Sequence, residues 1–276
     1  MSAIPALWSQ WASEGQTISP LIKAISLNMS LLKRSHSAID PSSFLRALEK
    51  DISKELLPTF NFNTQQDVPE VLNFILDELK GSSALARTLF SANINTTISC
   101  DVCNCSSNVE DIQNLLTLPV KDSIQAGLDF KFKRSVDITQ NCPICDSFTD
   151  STKEIFLTAA GSVLIVQLER YSYVDGCPVR NNNVVKCMSP SLKWDLDVSV
   201  SDFDSEVSFS SKYSLVATIN HSGTLVNGHY SAFVKDTRSG EWSLRNDKLV
   251  TKAKATMVNN ASSYVLFYYP SFTLHF

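Results

Sequence analysis

A chain of 276 residues with 43% hydrophobic content can bury a substantial core, and it reads as one elaborated domain rather than several small ones. The net charge of −4, with Lys and Arg scattered along the chain, argues against nucleic acid as a partner and leaves a mildly acidic surface that suits a basic ligand. No run approaches the roughly 20 apolar residues of a membrane span, and the N-terminus lacks a charged-then-apolar signal pattern; the expected setting is intracellular, cytoplasm or nucleus, away from membranes.

The first 92 residues read as helical. Pro20 opens a segment carrying Leu21, Ile22, Ala24, Ile25 and Leu32, while Asp40-Pro41 is an N-cap and first-turn pair ahead of Phe44, Leu45, Leu48 and Ile52, closed by Pro58. The third helix has the clearest period: Val68, Val71, Leu72, Ile75, Leu76 and Leu79 share one face, and Gly81 supplies a stop. Asp67, just ahead of it, is placed to cap.

From Asn93 the texture changes to alternating, β-branched and polar residues. Cys100-Asp101-Val102-Cys103 and Cys142-Pro143-Ile144-Cys145 are two C-x-x-C knuckles, with an intervening stretch that a pair of long antiparallel strands can bridge. Seven cysteines is an odd count, and in a reducing compartment this spacing points to metal rather than disulfides. Two knuckles complete one closed tetrahedral site, so Zn²⁺ held by Cys100, Cys103, Cys142 and Cys145 is expected to stabilise the fold and to perform no chemistry. Cys105 breaks the spacing and reads as a spectator.

After Lys153 strands dominate. Ser162 to Leu168 is a continuous apolar run of the kind a sheet buries on both faces. Asp175 to Ser211 reads as loop-rich, with Asp202 to Ser211 an acidic, serine-rich mobile insertion; Cys177 and Cys187 fall here, far from any helix start that would lower a thiol's pKa. Five strands then complete the domain near Pro270.

Two of those strands hold the candidate chemistry. Gly228-His229-Tyr230 opens one, and Trp242 to Asn246-Asp247 closes the other, so that an imidazole meets a side-chain amide or carboxylate. A lone histidine beside Tyr and Phe is by default a core or edge residue with a satisfied hydrogen bond, and Asn-Asp after a strand is most often a turn. Gly223 and Gly228, however, bracket a loop that returns the Tyr213 to Ile219 strand towards His229, and glycine permits the close approach a cleft requires. An imidazole held at one nitrogen offers the other to a nucleophile.

The Gly228-His229-Tyr230 string, the Trp242-to-Asn246 spacing, the late strand Tyr264 to Tyr268, Glu169-Arg170-Tyr171 and the earlier Gln65-Gln66-Asp67 together resemble the ubiquitin-specific protease family of cysteine deubiquitinases. The resemblance implies an α+β, papain-like cysteine peptidase fold: a helical thumb over 1–92, zinc-ribbon β fingers over 93–160, a β palm over 161–270 and a tail over 271–276. It implies that His229 is the general base, Asn246 its orienter and Asp247 an assistant. Gln65, Gln66 and Asp67 would face the C-terminal tail of ubiquitin or a related modifier. The implied reaction is thiol-dependent hydrolysis of the isopeptide bond after that modifier's C-terminal glycine.

One part of the family pattern is missing. Members carry the nucleophile in an Asn-rich box ending in Cys-Tyr, ahead of the Gln-Gln-Asp segment, and this chain has no cysteine before Cys100. Because Ser2 to Trp8 resembles the tail of the helix that follows the box, the nucleophile is expected upstream of Met1. The alternatives are a catalytically inactive, zinc-stabilised module that binds ubiquitin, and an unrelated zinc-ribbon protein.

Overall fold

The structure is a computed structural model, and it describes residues 19–34, 39–55, 65–132, 134–187, 195–196, 209–210, 213–225, 227–236 and 238–270. The chain divides into two compact units, Met1–Leu89 and Phe90–Phe276.

The first unit is helical. In α1 (Pro20–Arg34) the Ser19 hydroxyl accepts from the Ile22 N–H, and ahead of α2 (Ser42–Glu55) the Asp40 carboxylate accepts from the Ser42 N–H at 2.9 Å; both occupy orphan donors of a helix N-terminus. Then comes α3 (Val68–Ser82), whose Phe74, Leu76 and Leu79 are buried; the core of the unit joins Leu21, Leu48 and Phe74 with Ile25, Phe44, Val71 and Ile75. Two expectations are corrected here. Asp67 precedes α3 with extended backbone but its side chain makes no cap bond, and Gly81 lies within the helix, which ends where Ser83 turns extended. Ser83 begins the next turn instead: its buried hydroxyl accepts from the Ala86 N–H at 3.4 Å, opening α4 (Ala84–Phe90).

The second unit is built on two sheets, making the chain α+β. One sheet has the order β2-β1-β5-β4, all antiparallel, from β1 (Ala92–Cys100), β2 (Ser106–Gln113), β4 (Val136–Cys142) and the 14-residue β5 (Ser147–Ala160). The other has seven strands in the order β14-β13-β12-β11-β15-β6-β3. Its members are β3 (Leu116–Pro119), β6 (Leu164–Glu169), β11 (Tyr213–Gly223), β12 (Gly228–Lys235), β13 (Trp242–Asn246), β14 (Leu249–Ala253) and β15 (Ser263–Pro270). All its pairs are antiparallel except β3 with β6.

The chain between the two knuckles does more than cross a strand pair. After β2 it enters the larger sheet as β3, turns through α5 (Ile124–Phe132), and only then returns as β4. The Ser123 hydroxyl accepts from the Ala126 N–H to start α5, and Gly127 lets the helix approach β3 so closely that an added Cβ would stand 3.3 Å from the Pro119 carbonyl. The parallel pairing of β3 with β6 needs such a crossover, because parallel neighbours cannot be joined by a hairpin.

The apolar run read as a doubly buried strand is β6, with Leu164, Ile165, Val166 and Leu168 all buried. Its core partners include Leu116, Leu118, Leu128, Leu266 and Tyr268, and the base of the four-stranded sheet joins them through Ala92, Ile94 and Leu157. Where the expected loop begins, β7 (Tyr171–Val174) and β8 (Cys177–Arg180) form a hairpin whose Asp175 and Gly176 both have positive φ, the Asp-Gly turn that suits strand twist. A two-residue ladder pairs β9 (Asp195–Leu196) with β10 (Phe209–Ser210); most of the stretch read as an insertion lies outside the described residues. Among the described residues no helix is long and apolar enough to cross a membrane.

Leu266 is fully buried at the centre of the seven-stranded sheet, whereas Leu249 on the edge strand β14 is 67% exposed. Leu266→Ala is expected to cost about 2–5 kcal/mol of stability and Leu249→Ala no more than about 0.5 kcal/mol, as read from urea unfolding midpoints.

Candidate functional site

Strands β11, β12 and β13 position the histidine. Ser222 pairs with His229 and Gly223 with Gly228, and the turn between them is closed by Thr224, whose N–H donates to the Asn227 carbonyl at 2.8 Å. Gly223 has φ +127, and a Cβ there would lie 2.5 Å from the Asn227 carbonyl; a Cβ on Gly228 would collide with the His221 ring and stand 2.6 Å from the Ser222 carbonyl. Neither position admits a side chain without moving backbone.

On the other side of β12, Ala232 pairs with Arg245 and Lys235 with Trp242. Extending that register puts Asn246 across from Ser231, so His229 and Asn246 are diagonal neighbours on one face. Their side chains meet: His229 Nε2 is 2.5 Å from Asn246 Oδ1. An amide oxygen can only accept, so Nε2 carries the proton and Nδ1 keeps its lone pair. The His229 side chain is 52% exposed. Asp247, in the following turn with φ +52, has a carboxylate oxygen 4.0 Å from Nε2, beyond hydrogen-bonding distance.

Behind this pair lies a cluster built around His221 and Arg180, which the sequence reading did not single out, together with Arg170, Tyr171 and Tyr230. His221 pairs with Tyr230 across β11 and β12, and their rings stack with centroids 4.5 Å apart. His221 Nδ1 is 2.6 Å from the Tyr171 hydroxyl, and its backbone carbonyl accepts from Arg180 at 2.6 Å. Burial, assisted by the charge of Arg180, holds the His221 pKa below its ordinary value. Arg170 is itself fully buried, donating to the carbonyls of Ser263, Asn181 and Asn183. With Arg180 bound to the Ala261 carbonyl at 3.1 Å, the two arginines tie the β7–β8 hairpin to the start of β15. The available sequence signal was a second histidine eight residues before the first on a strand entering the same glycine turn.

The thiols gather at the far end of the four-stranded sheet. Cys103 and Cys142 Sγ are 3.7 Å apart and Cys100 and Cys145 Sγ 3.9 Å, close to the edge of about 3.8 Å that four Zn–S bonds of about 2.3 Å would span in a tetrahedron. The residue following each knuckle, Asn104 or Asp146, has positive φ, which turns the backbone back over the sulfurs. The Cys100 thiol is drawn down to about 6 by the Thr149 hydroxyl and then by the Cys103 N–H; the Cys142 thiol is lowered chiefly by the Cys145 N–H. Donors already aimed at these sulfurs favour the thiolate a metal binds.

The tightest group is not the expected one. Cys100, Cys103, Cys105 and Cys142 have sulfurs all within 4.8 Å of one another. Cys105 Sγ is 3.1 Å from Cys103 and 3.4 Å from Cys142, so Cys105, read from its spacing as a spectator, lies among the clustered sulfurs. Of the remaining cysteines, Cys187 is buried, with its thiol pushed up to about 11 by burial, and Cys177 lies exposed in the β7–β8 hairpin.

Residues 8–268 match the family described as ubiquitin carboxyl-terminal hydrolase. Ubiquitin carboxyl-terminal hydrolase 2 of Gallus gallus is 26% identical over 84% of this chain and 74% of its own length. The Homo sapiens proteins ubiquitin carboxyl-terminal hydrolase 2 (26% identical) and 21 (28% identical) align over 83% and 65% of this chain, and the chain spans 40% and 32% of their lengths. The fold is shared with the SAGA Ubp8/Sgf11/Sus1/Sgf73 DUB module bound to ubiquitin aldehyde (TM-score 0.77, 21% identity, 98% of this chain and 64% of that one). A further structure of that module, with a Ubp8 variant bound to monoubiquitin, gives a TM-score of 0.72 at 21% identity, over 98% of this chain and 63% of that one.

A neutral His221 contributes stability that is fully present above its unfolded pKa of about 6.5 and is lost as pH falls through its lower folded value. Thermal melts of the wild type should therefore decline in Tm from neutral pH towards pH 5, and His221→Gln should flatten that decline. Parallel profiles for the two proteins would show that the ring's titration is not linked to folding.

Proposed function

Because the chain belongs to the ubiquitin carboxyl-terminal hydrolase family, we propose that it hydrolyses the isopeptide bond after the C-terminal glycine of ubiquitin by a thiol-dependent route. The observation that carries this reading is the His229 to Asn246 contact, which fixes one ring nitrogen of a half-exposed side chain. A thiolate attacks the glycyl carbonyl, His229 Nδ1 takes up the thiol proton and returns it to the departing lysine amine, and water then hydrolyses the thioester. Asn246 holds the tautomer and the ring plane, and Asp247, 4.0 Å from Nε2, assists the same site. Solved relatives of the same fold bound to ubiquitin aldehyde and to monoubiquitin support ubiquitin as the partner.

None of the seven cysteines is bonded to His229 among the described residues. Five lie in the thiol cluster, one is buried and one sits in a hairpin, so the reaction requires a further thiol at Nδ1. Gln65, Gln66 and Asp67, exposed to half-buried ahead of α3, are proposed to meet the ubiquitin tail. The metal is proposed to be Zn²⁺ held by the two knuckles, where a closed four-thiolate site supplies fold stability and no Lewis-acid step.

In the full-length protein, His229→Ala should lower cleavage of a fluorogenic ubiquitin C-terminal amide by about 10²–10⁴-fold while ubiquitin affinity measured by calorimetry is retained. Unchanged turnover by the variant would remove His229 from the mechanism. Ubiquitin affinity without turnover in the wild type would make the protein a binding module.

Chelation of Zn²⁺ should raise amide hydrogen exchange in β2 and β4 while β6 and β15 remain protected. Exchange in β2 and β4 that ignores the chelator would exclude a structural metal at the knuckles.

A further inference from the structure

The thiol cluster contains one sulfur more than a tetrahedral metal can use. Cys100, Cys103 and Cys142 are common to both possible sets. The fourth position has two candidates: Cys145, 3.9 Å from Cys100 Sγ, and Cys105, 3.1 Å from Cys103 Sγ and 3.4 Å from Cys142 Sγ. We propose that Cys105 is an alternative fourth ligand of the knuckle metal and exchanges with Cys145, giving a five-thiol site with two coordination sets. The proposal rests on the assignment of a metal to the knuckles.

Two features hold Cys105 in place. The Cys100 N–H donates to the Cys105 carbonyl at 2.8 Å and the Asn104 N–H to the Cys100 carbonyl at 2.9 Å, closing the turn so that residue 105 folds back beside the residue that opens it. Positive φ at Asn104 makes that closure possible. The second turn repeats the plan: Asp146 has positive φ, and Cys142 pairs with Ser147 where Cys100 is bonded to Cys105. The two turns are thus nearly equivalent, except that the first ends in a thiol and the second in a hydroxyl. A hydroxyl is a poor Zn²⁺ ligand and a thiolate a good one.

The spacings indicate how exchange proceeds. The separations of Cys105 from Cys103 and Cys142 are shorter than the tetrahedral edge of about 3.8 Å, so Cys105 enters as Cys145 withdraws and the shared three sulfurs spread. The incoming thiol releases its proton and the departing thiolate takes one up, leaving the charge at the metal unchanged. Cys103, Cys105 and Cys145 are all half-buried, so neither exchanging thiol is sealed from solvent.

Site-resolved alkylation of the zinc-loaded full-length protein tests this without altering any residue. A small electrophile should consume one thiol equivalent of the cluster, divided between Cys105 and Cys145, with Cys100, Cys103 and Cys142 protected. Label confined to Cys105, or confined to Cys145, overturns exchange. Zinc loading that protects none of the five overturns the metal assignment instead.

A second measurement reads coordination directly. X-ray absorption of the zinc-loaded Cys145→Ser protein should retain four sulfur neighbours, while Cys105→Ser/Cys145→Ser falls to three sulfurs and one oxygen or nitrogen. Three sulfurs in the single variant would make Cys105 a bystander.

Discussion

The histidine site depends on the register of three antiparallel strands. A shift of β12 by one residue against β11 would send the His229 side chain to the opposite face of the sheet and away from Asn246, because side chains alternate with a period of two. The register is held from both sides. Gly223 and Gly228 bring the backbones of β11 and β12 to a separation that a Cβ would prevent, and His221 occupies the space that the missing Gly228 side chain leaves. The stacked rings of His221 and Tyr230 then couple the residue beside the glycine to the residue beside His229. The exposed imidazole is thus aimed by buried neighbours, and its own freedom to swing is limited by the Asn246 contact.

The buried arginines extend the same logic. Arg170 has no carboxylate among its bonded partners and is held by three backbone carbonyls; burial and the nearby Arg180 bring its pKa down to about 10, which still leaves it charged at neutral pH. Its Nη2 is buried without a hydrogen-bond partner, so the three carbonyl bonds are what hold this buried cation, and losing them would be costly. Movement of the β7–β8 hairpin away from β15 would have to strip those bonds. The hairpin bearing Tyr171, whose hydroxyl reaches His221, is thereby fixed relative to the strands that carry His229.

Much of this was legible in the sequence because its cues are local. Glycines that must pair closely, a polar residue at matching points of two strands, and the six-residue apolar face of α3 each announce themselves within a few positions. The knuckles are legible for the same reason, since C-x-x-C spacing is itself the geometry of a metal turn. What escaped depends on contacts distant in sequence. Cys105 looked idle because its spacing fits no knuckle, yet the turn closed by Asn104 brings it among sulfurs some 40 residues away. β3 and α5 were hidden inside a stretch expected to shuttle between knuckles, because four residues of strand give too short a period to recognise and parallel pairing with β6 leaves no local trace. The Asp175-Gly176 hairpin was the avoidable omission, as that dipeptide between β-rich runs is a direct turn signal.

The two ends of the second unit also differ in how they are stabilised. Near its base the four-stranded sheet shares the apolar core through Ala92, Ile94 and Leu157, but β2 is exposed along nearly its whole length and β4 buries little besides Cys142. Val109 and Val136 are exposed along these strands and Phe148 at the tip itself, so hydrophobic burial contributes little there. Backbone pairing alone leaves such strands marginal. A metal drawing the β1–β2 and β4–β5 turns to one point would replace the missing core with a few strong bonds and close the sheet's end without covering its faces. Those faces would remain open to a partner, and with such a metal in place the sulfurs rather than a core would hold the strand ends together.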